Sequence, residues 1–169
     1  MAPAPGLTQV RAVRCDNDEV IAFDDIGDEL SQTFAQALIS AFPEWQNLAS
    51  VVPGSQERDR FIEVVVPQEG TDRFLRLSTE DEEISIAFDD WHEHIGPFLG
   101  FTTAQSVEAA LKLIEDFTDE RIVVKVFRRN GVWDGSTIEA PDEPIRVPPH
   151  CTMQVVSWRG TFDRTIESI

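Results

Sequence analysis

The stretch Ile84–Leu99 reads ISIAFDDWHEHIGPFL, a strand that runs into a turn. Ile84, Ile86 and Phe88 alternate with Ser85, Ala87 and Asp89, the period-two pattern of a strand with one buried face. The alternation breaks at Asp89-Asp90-Trp91-His92-Glu93-His94, which reads as a turn carrying two of the three histidines, and Gly96-Pro97 stops it. Thr102–Phe117 then reads as a helix. Thr102 and Gln105 match a capping box. Val107, Ala110, Leu111, Ile114 and Phe117 recur on one helical face, and Glu108 and Lys112 are placed to pair on the outside.

Upstream of this stretch, Phe61–Val66 and Arg73–Ser78 are strands separated from each other and from Glu83–Asp89 by short turns, so the three are antiparallel neighbours. A helix is predicted from about Gly27 to Phe42, with Leu30, Phe34, Ala37, Leu38 and Ala41 as its buried stripe. Asp25 is its expected N-cap and Pro43 its stop. Trp45 and Leu48 are expected to close a short turn over the core, with a loop at Val52–Ser55. Residues 1–6 read as a flexible tail, and Leu7–Arg14 as a short strand.

Downstream, Arg121–Arg128 is a strand with Ile122, Val124 and Val126 inward. Asn130-Gly131 is a hairpin turn of the kind that needs positive φ at both residues. The return strand Val132–Glu139 is expected to distort at Asp134-Gly135. Ala140–Pro149 is a Pro-rich loop, and Thr152–Trp158 is a last strand. The order predicts a single α+β domain over residues 1–169: a mainly antiparallel sheet of about six strands with two helices packed on it.

Composition narrows the function. The 169 residues carry 14 basic and 31 acidic side chains, a net charge of −17. Such a chain has no basic face for phosphates, so neither nucleic acid nor an anionic membrane surface is an expected partner. A basic protein is. The acids cluster in Asp16–Leu30 and in Glu80–His94, two stretches without Lys or Arg. No apolar run has the length of a membrane span, and the N-terminus lacks the pattern of a secretory signal. Cys15 and Cys151 match no metal-ligand spacing, so free thiols in a cytoplasmic setting are expected.

Chemistry-bearing motifs are few. His92-Glu93-His94 is an H-x-H, whose two imidazoles point the same way on an extended backbone. One reading is a metal site at His92 and His94, completed by Asp89, Asp90 or His150, in a metal-binding protein or a metal-dependent enzyme. A second is general acid/base work by the histidines. The third is a structural role or surface contact: Trp91 packs inward and the histidines make hydrogen bonds at a strand end. No nucleophile elbow, P-loop or dinucleotide fingerprint occurs, and no catalytic residue or cofactor is expected. Trp45, Trp91, Trp133 and Trp158 each end an element. Trp133 and Trp158 are the two placed to reach an exposed rim, where aromatics anchor protein interfaces.

Several segments together resemble a family. They are F-D-D-W-H-E-H-I (Phe88–Ile95), LKLIEDFTDERIVVKVF (Leu111–Phe127), N-G-V-W-D-G-S (Asn130–Ser136) and V-S-W-R-G-T-F-D (Val156–Asp163). Across roughly residues 73–165 the chain resembles small acidic bacterial immunity proteins of polymorphic or contact-dependent toxin systems. The resemblance implies a non-enzymatic binding protein that neutralises a cognate basic toxin domain by occluding it, and it marks F-x-x-W-H-x-H and S-W-R-G as candidate surface. The expected partner-binding residues are Glu80, Asp81, Glu82, Glu83, Asp89, Asp90, Trp91, His92, His94, Trp133, Trp158 and Arg159.

Overall fold

A computed structural model of the chain describes residues 26–54, 60–144 and 146–168. The expected strand over Leu7–Arg14, the Asp25 cap, Cys15 and most of the first acidic block lie outside the described residues. Helix α1 (Glu29–Ala41) leads through a 3-10 segment at Pro43–Leu48 into strands β1 (Ala49–Pro53), β2 (Arg60–Pro67), β3 (Phe74–Ser78), β4 (Ile84–Phe88) and β5 (Trp91–Ile95). Helix α2 (Thr103–Thr118) follows, and then β6 (Val123–Arg129), β7 (Val132–Glu139), β8 (Cys151–Val156) and β9 (Arg164–Glu167).

The class is α+β, with antiparallel sheets and two α-helices among the described residues, as the sequence predicts. The sheet itself differs. Where about six strands are expected in one sheet, the described residues form nine in two: a five-stranded meander β1-β2-β3-β4-β5 and a four-stranded sheet ordered β7-β6-β8-β9. The three unforeseen strands, β1, β5 and β9, are all edge strands. β1 and β9 bury no side chain fully and β5 buries only its two ends, so none of the three carries a strict apolar alternation. Val52 and Pro53, expected in a loop, end β1.

Helix α1 is capped by Asp28, three residues after the expected Asp25. Asp28 accepts the Ser31 N–H at 2.8 Å and lies 2.5 Å from its hydroxyl, which is also 3.1 Å from the Thr79 carbonyl. The buried stripe is rotated from the expected one. Leu30, Phe34 and Leu38 are buried, but Ser31 and Ala35 join them while Ala37 is only half-buried and Ala41 is exposed. The rotation follows from a second neighbour, because α1 packs on α2 as well as on the sheet. Both helices bury small residues, Ser31 and Ala35 on α1 and Ser106 and Ala110 on α2, which permit close backbone approach. Pro43 stops α1, and Phe42 stacks on the buried Trp45 with ring centroids 4.2 Å apart. Leu48, expected over the core, is exposed.

Helix α2 opens on the expected capping box. Gln105 N–H donates to Thr102 Oγ1, and Thr102 N–H donates to Gln105 Oε1 at 2.9 Å. Val107, Ala110, Ile114 and Phe117 are buried on one face. Lys112 pairs with Asp116 rather than with Glu108, and Asp116 also takes Arg121 Nε at 2.5 Å. Both helices share one buried cluster with Ile62, Val64, Leu75, Leu77, Ile84, Ile86 and Phe88, so they lie on the same face of the meander. Each large apolar side chain removed from water here stabilises the fold by roughly 1.5–3 kcal/mol.

The same cluster takes in Val124, Val126 and Val156, which ties the second sheet to the first. Strand β6 is central and covered on both faces. Val123 looks the other way, into a smaller cluster with Met153 and Val155. Lys125 shares that second face and is buried, its ammonium 2.5 Å from Glu139 Oε2. The Asn130-Gly131 turn has φ of 52° and 80°, as its sequence requires. The expected distortion in β7 is a bulge. Phe127 faces Gly135 and Arg128 faces Trp133, leaving Asp134 as the extra residue.

Candidate functional site

The stretch expected to turn at Asp89–His94 turns in only two residues. Asp89 adopts a φ of 53°, the chain reverses through Asp90, and Trp91 already pairs with Phe88 as the first residue of β5. Trp91 and Ile95 are buried on the helix-covered face, while His92, Glu93 and His94 between them are exposed. Register places His92 beside Ala87 and His94 beside Ser85, on the face turned away from the helices. Only the two ends of the strand are buried, which is why it carries no apolar alternation.

The two imidazoles stand side by side, as an H-x-H on extended backbone should, with ring centroids 5.1 Å apart. His94 Nδ1 is 2.7 Å from Glu83 Oε1 and 2.9 Å from Ser85 Oγ. Serine and carboxylate thus meet the same ring nitrogen. A proton relay needs them on opposite nitrogens, so the trio is not arranged as a nucleophile–base–acid chain. Among the described residues, no three His, Cys, Asp or Glu side chains are grouped to hold a metal ion. Cys151 is buried with Sγ 3.8 Å from Asp134 Oδ2, while its neighbour His150 is exposed.

Beyond β5, the acids divide into two groups. Asp90 forms an ion pair with Arg128 of β6, and its carbonyl accepts the Ser136 hydroxyl at 2.9 Å, so it clasps the two sheets together. Glu83 is taken by His94. Glu80, Asp81, Glu82, Asp89 and Glu93 are exposed and make no ion pair with any of the described residues. Glu80–Glu82 form a tight turn in which Asp81 and Glu82 take φ of 57° and 59°. That turn abuts the end of β5: a Cβ added to Gly96 would lie 3.1 Å from the Glu82 carbonyl.

A cleft of about 380 Å³ runs between the edges of the two sheets. Trp91, His92 and Glu93 line one wall, and Trp133, Gly135, Ser136, Thr137 and Ile138 the other. Trp133 is 53% exposed at the cleft, and its neighbour Val132 is more exposed still. Asp90, Trp91, His92 and Trp133 are therefore brought together, with Glu83 and His94 further along the same strand. Glu93 was missed as a candidate although it sits inside the H-x-H. The Ser136–Ile138 wall left no signal in the sequence, because only the docking of two sheets places it there. The exposed apolar run Phe98, Leu99 and Phe101, just past β5, was also unforeseen.

Trp158 and Arg159 belong elsewhere. Trp158 is half-buried against Phe88 and Phe117, at 5.8 and 6.0 Å between centroids. Arg159 donates its amide N–H to Glu120 at 2.7 Å and its guanidinium to the Thr118 carbonyl at 3.0 Å. Ser157 N–H donates to Asp163 at 2.8 Å and Phe162 N–H to the Ser157 hydroxyl at 3.0 Å. The S-W-R-G segment is thus a loop anchored to the C-terminal end of α2. Burial pushes the Glu120 carboxyl up, but the Thr161 and Ser157 hydroxyls and the Arg159 and Thr161 amides outweigh it and hold the group below its ordinary 4.5.

Among the described residues, no helix is long and apolar enough to cross a membrane. No protein-family model, no curated protein and no solved structure matches this chain.

Proposed function

We propose that this chain is an acidic protein-binding module, an immunity-type inhibitor that occludes a basic toxin domain without catalysis. The supporting observation is the β5 rim. Glu93 lines the cleft that presents an exposed Trp133, and four more exposed acids without ion pairs to the described residues lie at the ends of the same strand, Asp89 in the turn before it and Glu80, Asp81 and Glu82 in the turn beside Gly96. Uncompensated carboxylates draw a basic surface in and set its register, while an aromatic at a cleft supplies apolar contact. Inhibition then comes from covering the partner's working surface with an acidic rim. For a toxin acting on nucleic acid, that rim takes the place of substrate phosphates.

The test is capture by tagged full-length chain from its native lysate at low and high salt, followed by titration of the purified partner. A basic protein binding one-to-one is expected, roughly tenfold or more weaker at 0.5 M salt, where the Debye length is only a few ångströms. The triple variant Glu80→Gln, Asp81→Asn, Glu82→Gln should bind more weakly with a shallower salt dependence. Salt-indifferent binding, or no partner at either salt, ends this reading. A second reading, a metal ion on His92 and His94, draws on their 5.1 Å spacing. Metal analysis of the native protein and of the His92→Ala, His94→Ala double variant decides it.

A further inference from the structure

Among the described residues, strand β5 is a sheet edge with no strand on its outer flank, and its hydrogen-bonding pattern follows from its register. A two-residue turn makes the closing pair, Phe88 and Trp91, the one that exchanges both backbone hydrogen bonds. Pairs then alternate: Ile86–Glu93 is bonded, whereas Ala87–His92 and Ser85–His94 are not. The N–H and C=O groups of His92 and His94 therefore point away from β4. Among the described residues, neither makes a backbone hydrogen bond outside the ladder. The cleft lined by His92, Glu93 and Trp133 opens along the same strand.

We propose that β5 is the docking strand, and that its partner is an extended basic segment that adds to the five-stranded sheet antiparallel or parallel to Trp91–Ile95. This rests on the inhibitor reading and specifies its contact. The occupant is set by charge. A second copy of this chain would bring a net charge of −17 against another −17 and Glu93 close to Glu93, whereas Lys or Arg on alternate residues of an incoming strand meets Glu93, Asp89 and the Glu80–Glu82 turn. Its intervening apolar residues reach Trp133 across the cleft. Backbone pairing supplies generic attraction, and the acids with Trp133 select which strand is accepted.

The probe is the peptide acetyl-Lys-Val-Lys-Val-Lys-Val-Lys-amide, titrated into the ¹⁵N-labelled full chain at low salt. Its control carries N-methyl groups on every backbone nitrogen and a C-terminal dimethylamide, which leaves the charge and removes all amide donors. Shifts concentrated at residues 91–95, with slowed exchange of the His92 and His94 amides, are expected from the first peptide only. His94→Pro removes an outward N–H without breaking a bond to β4, and edge strands accept proline in such positions. That variant should bind roughly tenfold or more weakly, while His94→Ala stays close to wild type. Equal binding of both peptides means adhesion by charge alone and overturns the proposal. So does an undisturbed His94→Pro variant, shifts centred away from β5, or no binding of the first peptide. None of these touches the inhibitor reading, which the lysate capture decides by itself.

Discussion

Glu120 occupies the position just beyond the C-cap of α2 with a φ of 58°, a place where helices commonly carry glycine. An L-residue held there costs roughly 1–2 kcal/mol. Its carboxylate offsets that cost by accepting the Arg159 amide N–H at 2.7 Å while remaining 8% exposed. Hydrogen bonds to a charged group contribute about 1.5–3 kcal/mol. Glu120→Gln keeps the shape and strain but turns an amide NH₂ toward donors, so we expect a loss of about 2 kcal/mol. In a chain of this size that lowers Tm by roughly 4–8 °C. Urea unfolding followed by tryptophan fluorescence at pH 7 measures it. The pH dependence has a definite sign. The folded-state pKa lies below the ordinary 4.5, so the stabilisation is complete above 4.5 and is lost as pH falls through the folded-state value. The gap between wild type and Glu120→Gln must therefore be widest near neutrality and close in acid. A gap under about 0.5 kcal/mol at pH 7, or one unchanged at pH 3, refutes the anchoring role.

Other consequences follow from single residues. Ser106 on α2 is fully buried and its hydroxyl has no hydrogen-bond partner among the described residues, so Ser106→Ala should stabilise the fold by about 1 kcal/mol, read as a higher urea midpoint. Thr102→Ala removes one half of the capping box and should cost about 1 kcal/mol, measured the same way. Trp133→Ala should leave stability within about 0.5 kcal/mol of wild type, because the side chain is 53% exposed, yet weaken capture of the basic partner or of the lysine–valine peptide. Phe34→Ala, in contrast, empties a fully buried site and should cost about 3–5 kcal/mol.

Features that depend on near neighbours are legible in the residues alone. The span of α2, its capping box and its buried face are local, since a helix bonds and caps itself within four residues. The Asn130-Gly131 turn is equally local, because positive φ at two successive positions selects those residue types. So is the side-by-side arrangement of His92 and His94, which the two-residue period of extended chain imposes. The helix is capped by Asp28 rather than by Asp25, two acids three residues apart whose local sequence suits either to the role. Tertiary structure alone decided the rest. The buried face of α1 turned toward Ser31 and Ala35 because α2 packs there. Strand β5 is apolar only at Trp91 and Ile95, so its identity as an edge strand comes from its pairing with β4 and not from its own pattern. S-W-R-G became an anchored loop because Glu120, far away in sequence, supplies the acceptor. The Trp133 cleft exists only because Asp90, Arg128 and Ser136 draw two sheet edges together, a contact between segments too distant in the chain for any periodicity to record.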